Sequence, residues 1–392
     1  MHQMDSNTAD LLRELVSIPS VNPGFRTPDS SLEIFGEQKV GAFLAEFFEG
    51  VGCKVWFDEV LPGRPNLIAH LATGKGGRRI ALQSHLDTVQ ITGMTVDPWG
   101  MRHGDRLYGR GSCDTKASTA AFAKTVQYFA ETTSLDADLY FLGTIDEEHG
   151  FAGSRHLGQH YRFDACFVGE PTNLQAVTAH KGSVRFGLVA QGKSAHSSTP
   201  ELGHNAVFEM CDLIQDFRAA FDRFTGSKHQ PLTGSATWAP TMISGGVGLN
   251  TVPEVCTLAV DRRLVPGEKM EDIIRFVNDW AERSVRKGHQ WLMGETFMMD
   301  PPFETDPESP PAKALRQALA KLGLDAEAKG VPYGTDATKI SAGGTPCVVF
   351  GPGDIAQAHK SDEWIHLPQV ALATEVMIEA VKRLDQILAG NL

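Results

Sequence analysis

Three carboxylates stand side by side at Asp146-Glu147-Glu148, just after Ala137–Leu142, a segment apolar and alternating enough to be a buried strand. Strand side chains alternate faces, so adjacent acids cannot all reach water while the strand stays buried. Packed carboxylates repel, and one of them protonates unless a cation intervenes. The run is therefore either a solvated loop or a place where something positive sits. Other residues of the same chemistry recur at comparable places: His85 with Asp87, Asp114, Glu170, and finally His359. Two imidazoles with several carboxylates form a nitrogen–oxygen donor set, which suits zinc, cobalt or manganese better than calcium or a thiolate-selected metal. Two such ions about 3.5–4 Å apart need a shared carboxylate with unshared ligands on each side. Asp114, short and central, is the natural bridge. Glu147 and Glu148 cannot take one direction, so one suits a ligand and the other a free base beside an activated water. Asp87 could accept a hydrogen bond from the His85 imidazole and fix its tautomer.

The elements that must carry these residues follow from pattern. Lys54–Phe57, Asn66–His70 and Arg79–Gln83 read as strands separated by Pro and Gly turns, and the third delivers His85 and Asp87 to its C-terminal end. In open α/β sheets that end is where ligands bind. Asp114 lies in a glycine-flanked loop before the Ala-rich helix expected over Ala117–Phe129, where its alternative role is an N-cap. Ala165–Val168 is a further apolar strand ending in Gly169-Glu170-Pro171-Thr172, and Pro346–Phe350 another, followed by Gly351-Pro352-Gly353 and His359. Amphipathic helices are expected at Asn7–Val16, Glu37–Val51, Ala312–Leu322 and Leu367–Ala389. From about Ala176 the pattern changes to strands at Val177–Ala179, Val184–Ala190, Ala236–Ser244 and Val255–Val260, with helices at Asn205–Arg223 and Glu268–Val285. Two β-α-β halves of this kind make an antiparallel ferredoxin-like sheet backed by helices. The expectation is an α/β domain over residues 1–176 and 295–392, interrupted by a smaller α+β domain over 177–294.

The length of 392 residues agrees with two hydrophobic cores. The net charge of -12 argues against nucleic acid or an anionic membrane as partner. No stretch approaches about 18 uninterrupted apolar residues, so no spanning helix is expected, and the polar Met1–Asp10 segment lacks the marks of a secretory signal. Cys53, Cys113, Cys166, Cys211, Cys256 and Cys347 are scattered without a Cys-x-x-Cys pair, which points to reduced thiols in a cytoplasm.

Taken in order, Ser84-His85-Leu86-Asp87-Thr88-Val89, Gly109-Arg110-Gly111-Ser112-Cys113-Asp114-Thr115-Lys116, Asp146-Glu147-Glu148, Gly169-Glu170-Pro171-Thr172 and Gly351-Pro352-Gly353 … Ala358-His359 resemble the signature blocks of a family of dinuclear-zinc amidohydrolases. That family includes acetylornithine deacetylase, succinyl-diaminopimelate desuccinylase, aminoacylase and related carboxypeptidases. The resemblance spans nearly the whole chain. It implies a zinc-peptidase-like catalytic domain, with a mixed sheet between helices, and an inserted lid and dimerisation domain. By position it makes His85 and Glu170 ligands of one metal, Glu148 and His359 ligands of the other, Asp114 the bridge and Glu147 the general base, with Asp87 orienting His85. The metals implied are two divalent ions, zinc or else cobalt.

Within the inserted domain, Gly192-Lys193-Ser194-Ala195-His196-Ser197-Ser198 with Pro200 and Gly203-His204-Asn205-Ala206 matches another block of the family. The resemblance implies that His196 reaches the partner subunit's site in a homodimer and stabilises an oxyanion. It also implies substrate contacts at Asn250 and Arg263. The neighbouring Arg262 leaves open which guanidinium faces a substrate carboxylate, since that depends on strand register. The block from Phe350 to Glu363 is especially similar to that of acetylornithine deacetylases, which implies hydrolysis of an N-acyl amino acid, N-acetyl-L-ornithine first. Gly334-Thr335-Asp336-Ala337-Thr338 looks more like the desuccinylase and the general members, which places succinyl-diaminopimelate second and a dipeptidase or carboxypeptidase activity third. A metal-free relative acting as a scaffold is the reading from another class, and the presence of every ligand type argues against it.

Overall fold

The computed structural model describes residues 2–75, 77–132, 134–286 and 290–391. The chain divides into two units, one of Met1–Thr178, Thr305–Lys329 and Thr335–Leu392, the other of Ala179–Glu304 and Gly330–Gly334.

The first unit is built on adjacent parallel strands. Asp138–Thr144, Arg79–His85, Ala165–Gly169 and Cys347–Val349 lie side by side in that order. Their near-continuous apolar runs suit a sheet covered on both faces. Antiparallel neighbours complete it: Arg64–Leu71 pairs with Asp138–Thr144, and Lys54–Leu61 forms the edge beyond. The sheet is therefore mixed, as the sequence led one to expect. The helices Lys116–Thr132, Pro310–Lys321 and Leu367–Leu388 share one core with the sheet, into which Ala117, Ala120, Ala121, Phe122 and Val126 are wholly buried. The small alanines allow close approach of that helix. Phe48 of the Gln38–Gly50 helix meets Phe141 with ring centroids 4.7 Å apart, and truncating such a buried ring to alanine costs about 3–5 kcal/mol. Residues of opposite parity, such as Ala81, Leu142 and Val168, are equally buried, so both faces are covered.

What this arrangement positions is decisive. The C-terminal ends of four parallel neighbours open on one edge, and His85, Glu147 with Glu148, Glu170 and the loop of His359 follow those ends.

In the second unit, Gly182–Gln191, Thr237–Gly245, Val255–Leu264 and Trp291–Asp300 form an antiparallel sheet in the spatial order second, third, first, fourth. With helices Ala206–Thr225 and Met270–Arg286 as crossovers, this is the ferredoxin-like arrangement. Asn205 caps the first helix, its Oδ1 accepting from Val207 N at 2.9 Å. Phe186, Phe217, Phe221, Trp280 and Trp291 form the aromatic core between sheet and helices. The strand Trp291–Asp300 was not foreseen, and the expected boundary at Gly294 cuts it. It belongs whole to the second unit because it pairs along Gly182–Gln191. Among the described residues no helix is long and apolar enough to cross a membrane.

Candidate functional site

Strand geometry brings His85, Asp114 and Glu170 together, and likewise His85 with Glu147 and Glu148, and Asp114 with Glu148 and His359. Within each trio the donor atoms lie inside 4.8 Å of one another. The trios share His85, Asp114 and Glu148, so they form one cluster.

His85 Nδ1 is 3.0 Å from the Asp87 carbonyl oxygen. A carbonyl only accepts, so Nδ1 carries the proton and Nε2 keeps a lone pair. That lone pair faces Asp114 Oδ1 at 3.2 Å. Two acceptors in this position need a cation between them, either a second imidazole proton or a metal ion. On the other side, His359 Nε2 lies 3.1 Å from Glu148 Oε2 and 3.4 Å from Asp114 Oδ2. Asp114 thus presents one oxygen to each histidine, the disposition a bridging carboxylate requires. Glu148 Oε1 is buried with no hydrogen-bond partner, a costly state for a carboxylate oxygen unless an ion takes the place.

The electrostatics carry the same strain. Burial pushes Glu147 and Glu170 well above the usual carboxylate range, against the pull of His85. Burial, then the charge of Asp114, lifts Glu148 to about 7. Burial would raise Asp114 as well, but its hydrogen bonds to His359 and His85 prevail and hold it below the ordinary value. His359 is raised to about 10, first by Asp114 and then by Glu148. Buried acids gathered this closely around two imidazoles call for positive charge among them, so the donor set fits divalent cations.

Surrounding residues set this geometry. Asp87 sits with Oδ1 3.5 Å from His85 Nδ1, but its carboxylate is chiefly engaged elsewhere. Oδ1 accepts from Glu147 N at 3.1 Å and Oδ2 from Glu148 N at 3.0 Å. Asp87 therefore holds the turn of the two glutamates as well as the ring. The first acid of the triplet, Asp146, is neither in a trio nor solvated. It adopts a left-handed φ of 67°, held by Asn22 Nδ2 at 3.0 Å and Arg64 Nη2 at 3.3 Å. Asn22 Nδ2 also donates to Asp87 Oδ2 at 2.7 Å. Gly351 is required where the strand end passes Glu170, because a Cβ there would collide with the Glu170 carbonyl oxygen and Ser118. Asp114 does not act as an N-cap, since its side chain is turned to the histidines.

Sequence reasoning passed over Asn22, and met Asp336 and Glu363 only inside blocks read for substrate class, without a role of their own. Asp336 is buried with Oδ2 accepting from Gln83 Nε2 at 2.7 Å and Thr144 Oγ1 at 2.9 Å. Glu363 is buried against the backbone of the Asp114 loop. Their roles at the site carry no local signal, because the partners that tie them to it are remote in sequence.

In the second unit, the His196 and Asn250 loops pair: Ser197 N donates to Asn250 O at 2.9 Å, and Val252 N to Ala195 O at 2.8 Å. His196 is exposed, and its Nδ1 accepts from Ser198 N at 3.1 Å. The neutral ring therefore bears its proton on Nε2, as an outward donor. Strand register also separates the two arginines. Arg262 shares parity with the buried Cys256, Leu258 and Val260, is itself wholly buried, and pairs with Glu268 at 2.7 Å. Arg263 lies on the opposite face with Asp261, its Nε 2.9 Å from Oδ1.

Comparison with known proteins gives consistent relatives. The model of peptidase family M20/M25/M40 matches residues 81–383. An acetylornithine deacetylase of Erwinia tasmaniensis is 32% identical over 386 residues, covering 96% of this chain and 97% of the relative. One from Vibrio atlanticus is 30% identical, covering 89% and 92%. An aminopeptidase structure from Bacillus cereus superposes with a TM-score of 0.77 at 21% identity, covering 97% and 98%. A dinuclear metal-binding peptidase of the M20 family from Bacillus subtilis superposes at 0.71 and 16% identity, covering the whole of both chains.

Proposed function

This chain belongs to peptidase family M20/M25/M40, and from that premise we propose that it hydrolyses the amide bond of an N-acyl amino acid, N-acetyl-L-ornithine before others. The observation that carries the reading is the fused cluster in which Asp114 offers one oxygen toward His85 and the other toward His359. Two divalent ions, zinc or cobalt, would be held by His85, Asp114 and Glu170 on one side and by Asp114, Glu148 and His359 on the other. The chemistry this pair supplies when bound is acidification of water and polarisation of a carbonyl. Glu147, clamped at its amide by Asp87, takes the proton from the attacking water and returns it to the leaving nitrogen. Asp87 keeps the His85 ring and the glutamate turn in place.

The second unit contributes recognition. His196 offers its Nε2 proton to the carbonyl oxygen as negative charge develops there. Arg263 receives the substrate carboxylate and Asn250 supports it. The unit also joins two chains in a homodimer: its edge strand Thr237–Gly245 exposes Met242 and Ile243 by 74% and 57%, and two-fold pairing of such edges is a closed solution. The substrate reading is supported by relatives whose names are acetylornithine deacetylase at 30–32% identity over most of the chain.

The test is a panel of N-acetyl-L-ornithine, N-succinyl-diaminopimelate and simple dipeptides, with metal content measured on the same protein. The highest kcat/KM is expected for N-acetyl-L-ornithine, abolished by a chelator and restored by zinc or cobalt. Faster turnover of the succinyl compound or a dipeptide moves the enzyme to those specificities. Full activity in chelator with no bound metal removes the mechanism.

A further inference from the structure

Glu363 is wholly buried and is not among the residues of the metal cluster. Its carboxylate is saturated by donors from one loop. Oε1 accepts from Cys113 N at 2.9 Å and Asp114 N at 3.0 Å. Oε2 accepts from Gly111 N at 3.1 Å and from Arg110 Nη1 at 2.6 Å. With both oxygens doubly engaged, Glu363 has no lone pair directed at an ion. Its own carbonyl accepts from Gly109 N at 3.0 Å. The residue is further fixed by the next strand, where Trp364 and Ile365 pair with Tyr108 and Leu107.

Glu363 also lies in the same loop as His359, which is otherwise held at Ser361, whose carbonyl accepts from Thr95 N at 2.8 Å; the His359 side chain itself is 55% exposed and its φ is 62°. We propose that Glu363 is a positioning residue that ties the loop of Asp114 to the loop of His359, and so sets the affinity of the metal position formed by Asp114, Glu148 and His359. The inference rests on the metal-binding reading above. The position of His85, Asp114 and Glu170 depends on it less, because His85 and Glu170 stand at the ends of adjacent strands already held by sheet hydrogen bonds. Asp114 is common to both, but the remaining ligand on the exposed side is the one carried by the Glu363 loop. A charged acceptor is needed at Glu363 because all four contacts are donors. A glutamine in its place turns an amide NH₂ toward either Arg110 and Gly111 or Cys113 and Asp114, so one pair of donors is left facing a donor.

The test is zinc titration of full-length, metal-stripped protein against a chromophoric chelator, with far-UV circular dichroism on the same samples. Wild type is expected to bind two ions. Glu363→Gln is expected to keep its fold and its first ion within about threefold, while the second weakens about 10–100-fold, the usual cost of losing a residue that orients a ligand. Glu363→Asp, which withdraws the carboxylate by one methylene, is expected to show the same selective loss and serves if the glutamine variant does not fold. Arg110→Lys keeps the three amide contacts and is expected to shift the second ion less than either. Equal weakening of both ions, or unchanged affinity in folded variants, overturns the role of Glu363 and leaves the metal centre standing. A wild-type chain that binds no zinc removes the metal reading and this inference with it.

Discussion

The strand-end cluster of the first unit and the loop pair of the second differ in what their surroundings demand. Asp114, Glu170 and His85 are buried at 7%, 4% and 1% exposure. The two carboxylates so placed must be protonated or neutralised by a cation. The environment thus specifies a cation as its ligand. His196 and Asn250 are exposed on paired loops, where water satisfies any polar group and no partner is demanded. Burial therefore specifies what the metal cluster must hold and leaves the loops of the second unit unspecified, so their roles rest on recognition chemistry and family membership.

The sharpest way to break this contrast lies inside the cluster. Glu147→Gln is expected to lower kcat by about 10²–10⁴-fold or more while both ions stay bound, since a base is lost and no ligand is. Glu148→Gln should instead reduce metal content. The reverse pattern, read by metal analysis beside kinetics, exchanges the two roles. In the second unit, His196→Ala is expected to lower kcat about 10²–10³-fold without changing metal content, the usual cost of one oxyanion donor. Mixing that variant with a Glu147→Gln chain should restore partial activity if His196 serves the partner's site. No recovery despite demonstrated subunit exchange would confine His196 to its own chain or deny it a part.

How much of this was legible in the sequence follows the same division. The parallel strands were visible because they are apolar runs broken by Gly and Pro, and the acids at their ends contradicted their setting. The ferredoxin-like class was visible from the β-α-β pattern, but Val177–Ala179, counted among its strands, lies in the large sheet of the first unit, where Val177 pairs with Val349. Trp291–Asp300 was not, because its burial is irregular and two register shifts interrupt its pairing. The roles of Asn22 and Glu363 could not be read: the first donates to Asp87 65 residues away, and the second receives amides about 250 residues away. A single Asn or Glu in a loop carries no periodicity and no local conflict. Only the folded chain shows that its partners are orphan donors and acids of the site.

The smallest expected effect concerns the pair that sequence left undecided. Residues 262 and 263 are adjacent arginines on one strand, so they must face opposite ways. Arg262 is buried on the helix-covered face, its Nη2 2.7 Å from Glu268 and its guanidinium carbon 5.9 Å from the Phe221 ring centre. Glu268 is itself nearly buried, at 6% side-chain exposure. Arg262→Met should therefore destabilise the fold by about 3–5 kcal/mol, because it leaves a buried carboxylate unpaired, while KM in the surviving native protein stays unchanged. Arg263 is about one-third exposed and tied to Asp261 alone among the described ion pairs, so its loss should cost little stability. If it receives the substrate carboxylate, Arg263→Ala should raise KM about 10–100-fold, the worth of a charged hydrogen bond, and Arg263→Lys should recover only part because a single ammonium cannot grip both oxygens. Thermal unfolding and steady-state kinetics on all three variants separate the effects. A KM defect in Arg262→Met at full native content, with Arg263→Ala unaffected, would place substrate recognition on the covered face and contradict the register.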